Sequence, residues 1–232
     1  MKISVVMPCY NEENYLETIV GKVTGQPLWS KFELELIIVD DHSRDSSPQV
    51  IERLAKADPR IRATSHQTNQ GKGAAVRTGF SMVTGDIVII QDADLEYDPC
   101  EYPTLLEPIL LDKADVVYGS RFMGGQPHRV LFFWHMVANK ILTLLFNMVS
   151  NMNFTDMETC FKVFKTSVIR KISLEENRFG FDPEISAKVV RLKAPIYEVG
   201  ISYHGRTYEE GKKIGLKDAF RAVYCILKYN MF

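Results

Sequence analysis

Little in this chain points to secretion, cross-linking or nucleic acid. Four cysteines occur among 232 residues, Cys9, Cys100, Cys160 and Cys225, and none forms a C-x-x-C pair. That argues against a disulfide framework or a zinc ribbon, and reduced, mostly buried thiols are expected. No signal peptide is expected before Met1-Lys2-Ile3, because the first apolar run is short and stops at Pro8. Internal repeats and low-complexity tracts are lacking. The first apolar run is not followed by G-x-G-x-x-G, which argues against a dinucleotide site. Excess positive charge is lacking too: the net charge is -1, and a general nucleic-acid binder is not expected. What remains is an ordinary folded composition, 46% hydrophobic and 25% charged, sized for one large domain or two small ones.

The charge is unevenly placed. Residues 1–115 hold 11 Lys/Arg against 19 Asp/Glu, and residues 116–232 hold 17 against 10. An acidic first half suits metal binding, and a basic second half suits a phosphate-bearing partner or an anionic surface. Short apolar runs at 3–7, 34–39, 61–64, 87–90 and 116–119 alternate with helical spacing at 12–23, 45–54, 74–82 and 102–110. Continuously apolar strands alternating with helices predict an α/β fold, a mostly parallel sheet covered on both faces. Beyond Gly119 the pattern predicts helices at 130–152, 183–192 and 216–229, with strands at 160–164 and 196–201. Ligands of such sheets bind beyond the carboxyl ends of the strands. Pro8-Cys9-Tyr10-Asn11, Asp40-Asp41, the Gly71 loop and Asp92-Ala93-Asp94 all fall there.

Asp92-Ala93-Asp94 carries the most information. Two carboxylates so close need a cation between them or a shared proton. A hard divalent ion carrying a nucleotide diphosphate answers that need, so Mg²⁺ or Mn²⁺ is expected on Asp92 and Asp94. Asp40 can accept hydrogen bonds from a base or ribose, with Pro8, Tyr10 and Glu12 as the neighbouring wall; a plain capped turn reads equally from these residues alone. Gly71-Lys72-Gly73 before a helix fits either a phosphate cradle or ordinary turn chemistry, and is not a Walker A loop because Gly73 follows the lysine. Arg121, Arg129, Arg206, Lys212 and Lys213 offer cations for phosphate oxygens. Sequence chemistry alone makes Asp156 a cap.

The segment 130–152 is apolar except for His135, Asn139, Thr143 and Asn147 at every fourth position, with Lys140 beside them. It fits a buried core helix or a helix lying in a membrane interface with its polar stripe turned to the domain. The interfacial placement is the expectation.

These landmarks resemble the family 2 glycosyltransferases, in particular the dolichyl-phosphate mannose synthase-like branch. The resemblance rests on 5–12, 38–43, 69–75, 92–96, 119–122, 156–164 and 205–213. It implies a nucleotide-diphosphosugar transferase fold of GT-A type. Residues 1–126 would form the nucleotide-sugar half and 127–232 the acceptor half of one catalytic domain. Asp92, Ala93 and Asp94 would hold metal and diphosphate, with Pro8, Tyr10, Glu12 and Asp40 around the nucleoside and Lys72, Arg206 and Lys213 on the donor. Asp94, Asp156, Arg121 and Arg206 would be catalytic, Asp156 as the base candidate, and Arg121, Arg129 and His135 would face the acceptor. The implied reaction moves a hexosyl unit from a nucleotide sugar, GDP-mannose or a UDP-hexose, to a polyprenyl phosphate. Transfer to a sugar hydroxyl in cell-surface polysaccharide synthesis is the alternative. A cytoplasmic enzyme peripherally bound to the membrane face, with a membrane-protein partner or a second copy of itself, completes the expectation.

Overall fold

In a computed structural model, residues 1–130, 132–207, 209–210 and 215–231 are described. The core is a seven-stranded sheet in the order β3-β2-β1-β4-β6-β5-β7. Its strands are β1 (Lys2–Cys9), β2 (Glu33–Asp40), β3 (Ile61–Ser65), β4 (Ile87–Ile90), β5 (Val116–Ser120), β6 (Lys162–Lys165) and β7 (Ile196–Gly200). Every pairing is parallel except those of β6, which runs antiparallel to both β4 and β5. The α/β, mostly parallel sheet expected from the apolar runs is therefore present. The inserted antiparallel strand is what brings residues 156–162 beside the ends of β4 and β5.

Side chains alternate along each strand, so the sheet needs cover on two sides. Ile3, Val5, Met7, Ile87, Ile89, Val117 and Val163 face one layer with α1 (Leu16–Thr24), α2 (Ser47–Ala57) and α4 (Tyr102–Leu110). Val6, Ile37, Val39 and Val88 face α3 (Lys72–Met82). Ile90, Val116, Tyr118 and Phe164 face α5 (Phe133–Ser150), α7 (Phe181–Arg191) and α8 (Leu216–Met231), near the short α6 (Thr166–Ile169). Each fully buried Val, Leu, Ile or Phe contributes about 1.5–3 kcal/mol of transfer free energy. Both layers are thus anchored by the same strands.

α5 turns its polar stripe inward. Thr143 is buried and its hydroxyl accepts from the Met157 N–H, and Asn147 bonds both backbone groups of Phe154. Phe133, Trp134, Ile141, Leu144 and Met148 of the same helix are exposed, as are Phe220, Tyr224, Leu227 and Met231 of α8. No described helix is long and apolar enough to cross a membrane. The cysteines are free; Cys9 and Cys225 are buried, Cys160 is partly covered and Cys100 is exposed.

Candidate active site

The loops after β1, β2 and β4 meet at one edge of the sheet. Cys9 and Asp40 are register partners at the last rung between β1 and β2. Beyond that rung Asn11 adopts φ 52°, its N–H donates to Ser43 Oγ, and its side-chain oxygen accepts from the Arg44 N–H. Asp40 accepts the Ser43 N–H at 3.1 Å. Pro8, Tyr10, Glu12 and Asp40 therefore belong to one stitched wall. Its local structure is that of turns and caps, which fits either reading of the sequence.

Asp41 organises the next loop. Its carboxylate accepts from the Gln70 and Gly71 N–H groups at 2.9 and 2.7 Å and meets His66 Nδ1 at 2.7 Å. Gly71 has φ 102°, where an L side chain is strained. A Cβ on Gly71 or Gly73 would also strike the Asn177 or Glu176 carbonyl oxygen at 2.5 or 2.4 Å. The Ala74 N–H donates to the Asn177 oxygen. The glycines thus admit the chain at 176–178 rather than leaving an open anion cradle. Lys72 points elsewhere: its Nζ lies 2.6 Å from Asp92 Oδ1. Burial alone would lower its pKa, and the Asp92 carboxylate reverses that, holding Lys72 charged.

Asp94 follows on the other side of the same turn. Arg206 enters from the loop after β7 and spreads its guanidinium over three carboxylates: Asp94 at 2.8 Å, Glu12 at 2.9 Å and Glu96 at 3.4 Å. Its planar fork suits several oxygens at once. Burial, then Asp92 and Glu96, push the Asp94 carboxyl up to about 7, with Arg206 pulling the other way. Three carboxylates around one guanidinium leave negative charge over. That surplus fits a divalent cation. Among the described residues no three His, Cys, Asp or Glu converge as a ready-made cage. This agrees with the habit of Mg²⁺, which takes one or two carboxylates and completes its shell with water and substrate phosphates.

A second cluster lies beside the first. Asp156 is fully buried, and both its oxygens are taken by Arg121: Nε at 2.6 Å, Nη2 at 2.8 Å, and the Arg121 backbone N–H at 3.0 Å. The Arg121 guanidinium also stacks 5.2 Å from the Tyr203 ring, and the Tyr203 hydroxyl donates to Glu96 at 2.9 Å. Arg121 is thereby linked through Tyr203 to the Arg206 cluster. Lys162, on β6, is fully buried with its Nζ 2.5 Å from Asp182 and against the Thr159 carbonyl oxygen.

Of the residues singled out in the sequence, Glu12, Asp94 and Arg206 meet directly, as do Lys72 with Asp92 and Arg121 with Asp156. Ala93, between Asp92 and Asp94, is buried. Arg129 lies nearby but is engaged by the Gly205 oxygen and Glu210. His135 sits in the first turn of α5, its ring 5.2 Å from Phe132. Lys212 and Lys213 lie outside the described residues. Sequence reasoning passed over Tyr203, Glu158, Lys162 and Asp182. An aromatic three residues before Arg206, and two carboxylates two apart at Asp156 and Glu158, were the available signals.

Fold and site define a class, the GT-A-type glycosyltransferases built on a nucleotide-diphosphosugar transferase sheet. Within that class, residues 4–176 match the model of Glycosyl transferase family 2, and the chain belongs to that family. It is 39% identical over 211 residues to an undecaprenyl-phosphate 4-deoxy-4-formamido-L-arabinose transferase of Pseudomonas fluorescens. The match covers 90% of this chain and spans 59% of the relative's length. Among solved structures, glucosyl-3-phosphoglycerate synthase from Mycobacterium tuberculosis with Mn²⁺ and UDP-glucose superposes with TM-score 0.75 at 19% identity, covering 100% of this chain and 79% of that one. The same enzyme with Mn²⁺, UDP and phosphoglyceric acid gives 0.74 at 19% identity, covering 98% and 78%.

The polyprenyl-phosphate acceptor expected from the sequence is corrected here. A solved neighbour that shares the fold over 98% of this chain holds phosphoglyceric acid instead. The lipid-phosphate relative is matched over 59% of its length, so its name does not carry an acceptor to this chain. Arg121 and Arg129, assigned to a lipid phosphate, are paired with Asp156 and Glu210.

Proposed function

We propose that this chain transfers a hexosyl unit from a nucleotide sugar, a UDP-hexose by preference, to a hydroxyl group of a small or sugar acceptor. The observation that carries the reading is the cluster Asp92, Asp94, Glu96 and Glu12 held by Lys72 and Arg206 at the carboxyl edge of the sheet. Such a site has surplus negative charge for a divalent ion and two cations for a diphosphate. The solved structures that share the fold contain Mn²⁺ with UDP or UDP-glucose, which supports the donor class.

Each residue then has a task. Asp92 and Asp94 would hold Mg²⁺ or Mn²⁺, which when bound neutralises the charge gathering on the departing diphosphate. Arg206 and Lys72 can turn from carboxylates to phosphate oxygens as the donor arrives. Pro8, Tyr10, Glu12 and Asp40 would bound the nucleoside. Arg121, fixed by Asp156 and Tyr203, would orient the acceptor, with Arg129 and His135 at its rim. Positioning and charge stabilisation supply most of the rate in such a displacement.

Peripheral membrane association is part of this reading. The exposed Phe133, Trp134, Ile141, Leu144 and Met148 of α5 carry Lys140 beside them and no acidic residue within the helix. An apolar face with positive charge suits an anionic lipid surface.

The test is a donor panel, UDP-glucose, UDP-N-acetylglucosamine and GDP-mannose, offered with Mn²⁺ and simple sugar acceptors. Transfer from a UDP-hexose to a hydroxyl is expected. Transfer of label to undecaprenyl phosphate alone, with no hydroxyl acceptor used, would overturn it.

A further inference from the structure

Four carboxylates surround Arg121 and Lys162, and three are occupied. Asp156 is gripped by Arg121, Asp182 by Lys162, and Glu198 by the Thr155 and Asp156 N–H groups at 2.8 and 3.0 Å. Glu158 differs. Among the described residues its Oε1 is buried with no hydrogen-bond partner, while the residue as a whole is partly exposed. A buried, unpaired carboxyl oxygen is costly and calls for an explanation, of which a catalytic role is one. The charge count agrees. Asp156, Glu158, Asp182 and Glu198 bring four carboxylates to two cations, Arg121 and Lys162, so the cluster holds more carboxyl groups than it can neutralise and one can exchange a proton.

We infer that Glu158 is the general base that takes the proton from the acceptor hydroxyl. This rests on the hydroxyl-transfer reading above. Asp156 is less well placed for the task, because Arg121 already donates three hydrogen bonds to its carboxylate; it acts as the residue that positions Arg121. In the step, the acceptor oxygen forms a bond to the anomeric carbon and its proton passes to the Glu158 carboxylate. The bond from that carbon to the diphosphate oxygen breaks, and its electron pair leaves on the nucleoside diphosphate. Burial and Asp182 push the Glu158 carboxyl up to about 8, against Lys162 and Arg121, which lower it. The groups facing it are thus Asp182, Lys162, Arg121 and Asp156. At pH 7 the resting carboxyl is mostly protonated, so the reactive form grows as pH rises through about 8.

The probe is UDP-glucose with Mn²⁺, hydrolysed with water as the acceptor, from pH 6 to 9.5. Calorimetry of Mn²⁺ with UDP follows donor binding, and ¹³C-carboxyl NMR of glutamate-labelled protein follows the proton. We expect one glutamate signal to titrate near 8 and to vanish in Glu158→Gln. Hydrolysis should fall by about 10²–10⁴-fold in that variant and lose its rising limb. Binding of Mn²⁺ with UDP should stay within twofold, and Glu158→Asp should recover part of the rate with the limb displaced. A Glu158→Gln enzyme that keeps the wild-type rate and limb overturns the assignment. So does the absence of any glutamate titrating above pH 6.5, or a loss explained wholly by weaker Mn²⁺–UDP binding. A wild type that binds no Mn²⁺ with UDP overturns the donor reading first and the role of Glu158 with it.

Discussion

Arg206 Nη2 lies 2.8 Å from Asp94 Oδ2, and the same guanidinium reaches Glu12 and Glu96. A cation of the protein therefore shares with any bound metal the carboxylates at this edge of the sheet, and does not by itself balance their charge. The arginine arrives from the far end of the sequence, 112 residues beyond Asp94. Closing that distance joins the loop after β7 to the turn after β4.

The first prediction concerns this contact. Arg206→Ala should strengthen Mn²⁺ binding to the nucleotide-free protein, because the ion no longer competes with the guanidinium. The gain should be tenfold or more, matching the loss of one charged hydrogen bond worth about 1.5–3 kcal/mol. In the presence of UDP the order should reverse, since a phosphate partner has been removed. Electron paramagnetic resonance of free Mn²⁺ measures both. Unchanged or weaker Mn²⁺ affinity without nucleotide would sink the idea.

How far the sequence could be read differs from residue to residue. Asp92-Ala93-Asp94 announces itself because the chemistry is local: two carboxylates directly after an apolar run. β4 was legible for the same reason, since burial on both faces makes its whole length apolar. The place of β6 was not legible, because an antiparallel insertion between two parallel strands is decided by packing. Hence Asp156 and Arg121, 35 residues apart, gave no sign that they would grip each other. The Gly71 loop shows the same limit. Its glycines look like phosphate-binding ones, yet the atoms they make room for belong to residues 176–178, about a hundred positions later.

That loop gives a second prediction. Gly73→Ala places a methyl 2.4 Å from the Glu176 oxygen and 2.9 Å from Phe181 Cβ. Forcing a methyl into such packing should cost about 1–3 kcal/mol. Gly21→Ala is the control: it lies in α1 with nothing within 4 Å of the new Cβ. There the substitution should stabilise by about 0.5–1 kcal/mol. Urea unfolding of both variants checks the pair, and equal effects would refute the argument.

Glu35 offers a pH test at the opposite edge of the sheet. Burial would raise its carboxyl, but bonds from Ser4, the Thr84 N–H and hydroxyl, and Arg62 outweigh that and bring it down to about 2, from 4.5 in the unfolded chain. Between those values the unfolded state binds more protons, so stability rises with pH there. The contribution, at most about 3 kcal/mol, is complete above 4.5 and lost as pH falls through 2. Glu35→Gln should therefore be less stable than wild type at pH 7, and the gap should close towards pH 2. A gap that widens in acid would contradict this account.

The Asp156–Arg121 pair separates a positioning role from a catalytic one. Asp156 is fully buried and Arg121 largely so, and breaking a buried pair by removing one partner commonly costs about 3–5 kcal/mol, because the other charge is left uncompensated. Asp156→Asn keeps the shape and one acceptor but removes the charge, so it should destabilise towards the lower end of that range. Arg121→Met removes the other charge and leaves Asp156 buried and unpaired, and it should be at least as damaging. The double variant should recover part of the loss, since no lone charge remains. For activity the expectation differs from that of a base. If Asp156 only holds Arg121, the Asp156→Asn enzyme should bind acceptor more weakly, with KM raised more than kcat is lowered. Its rate should still rise with pH through about 8, because that limb belongs to Glu158. A profile that becomes flat in Asp156→Asn, with KM unchanged, would make Asp156 the proton acceptor and return Glu158 to a supporting place.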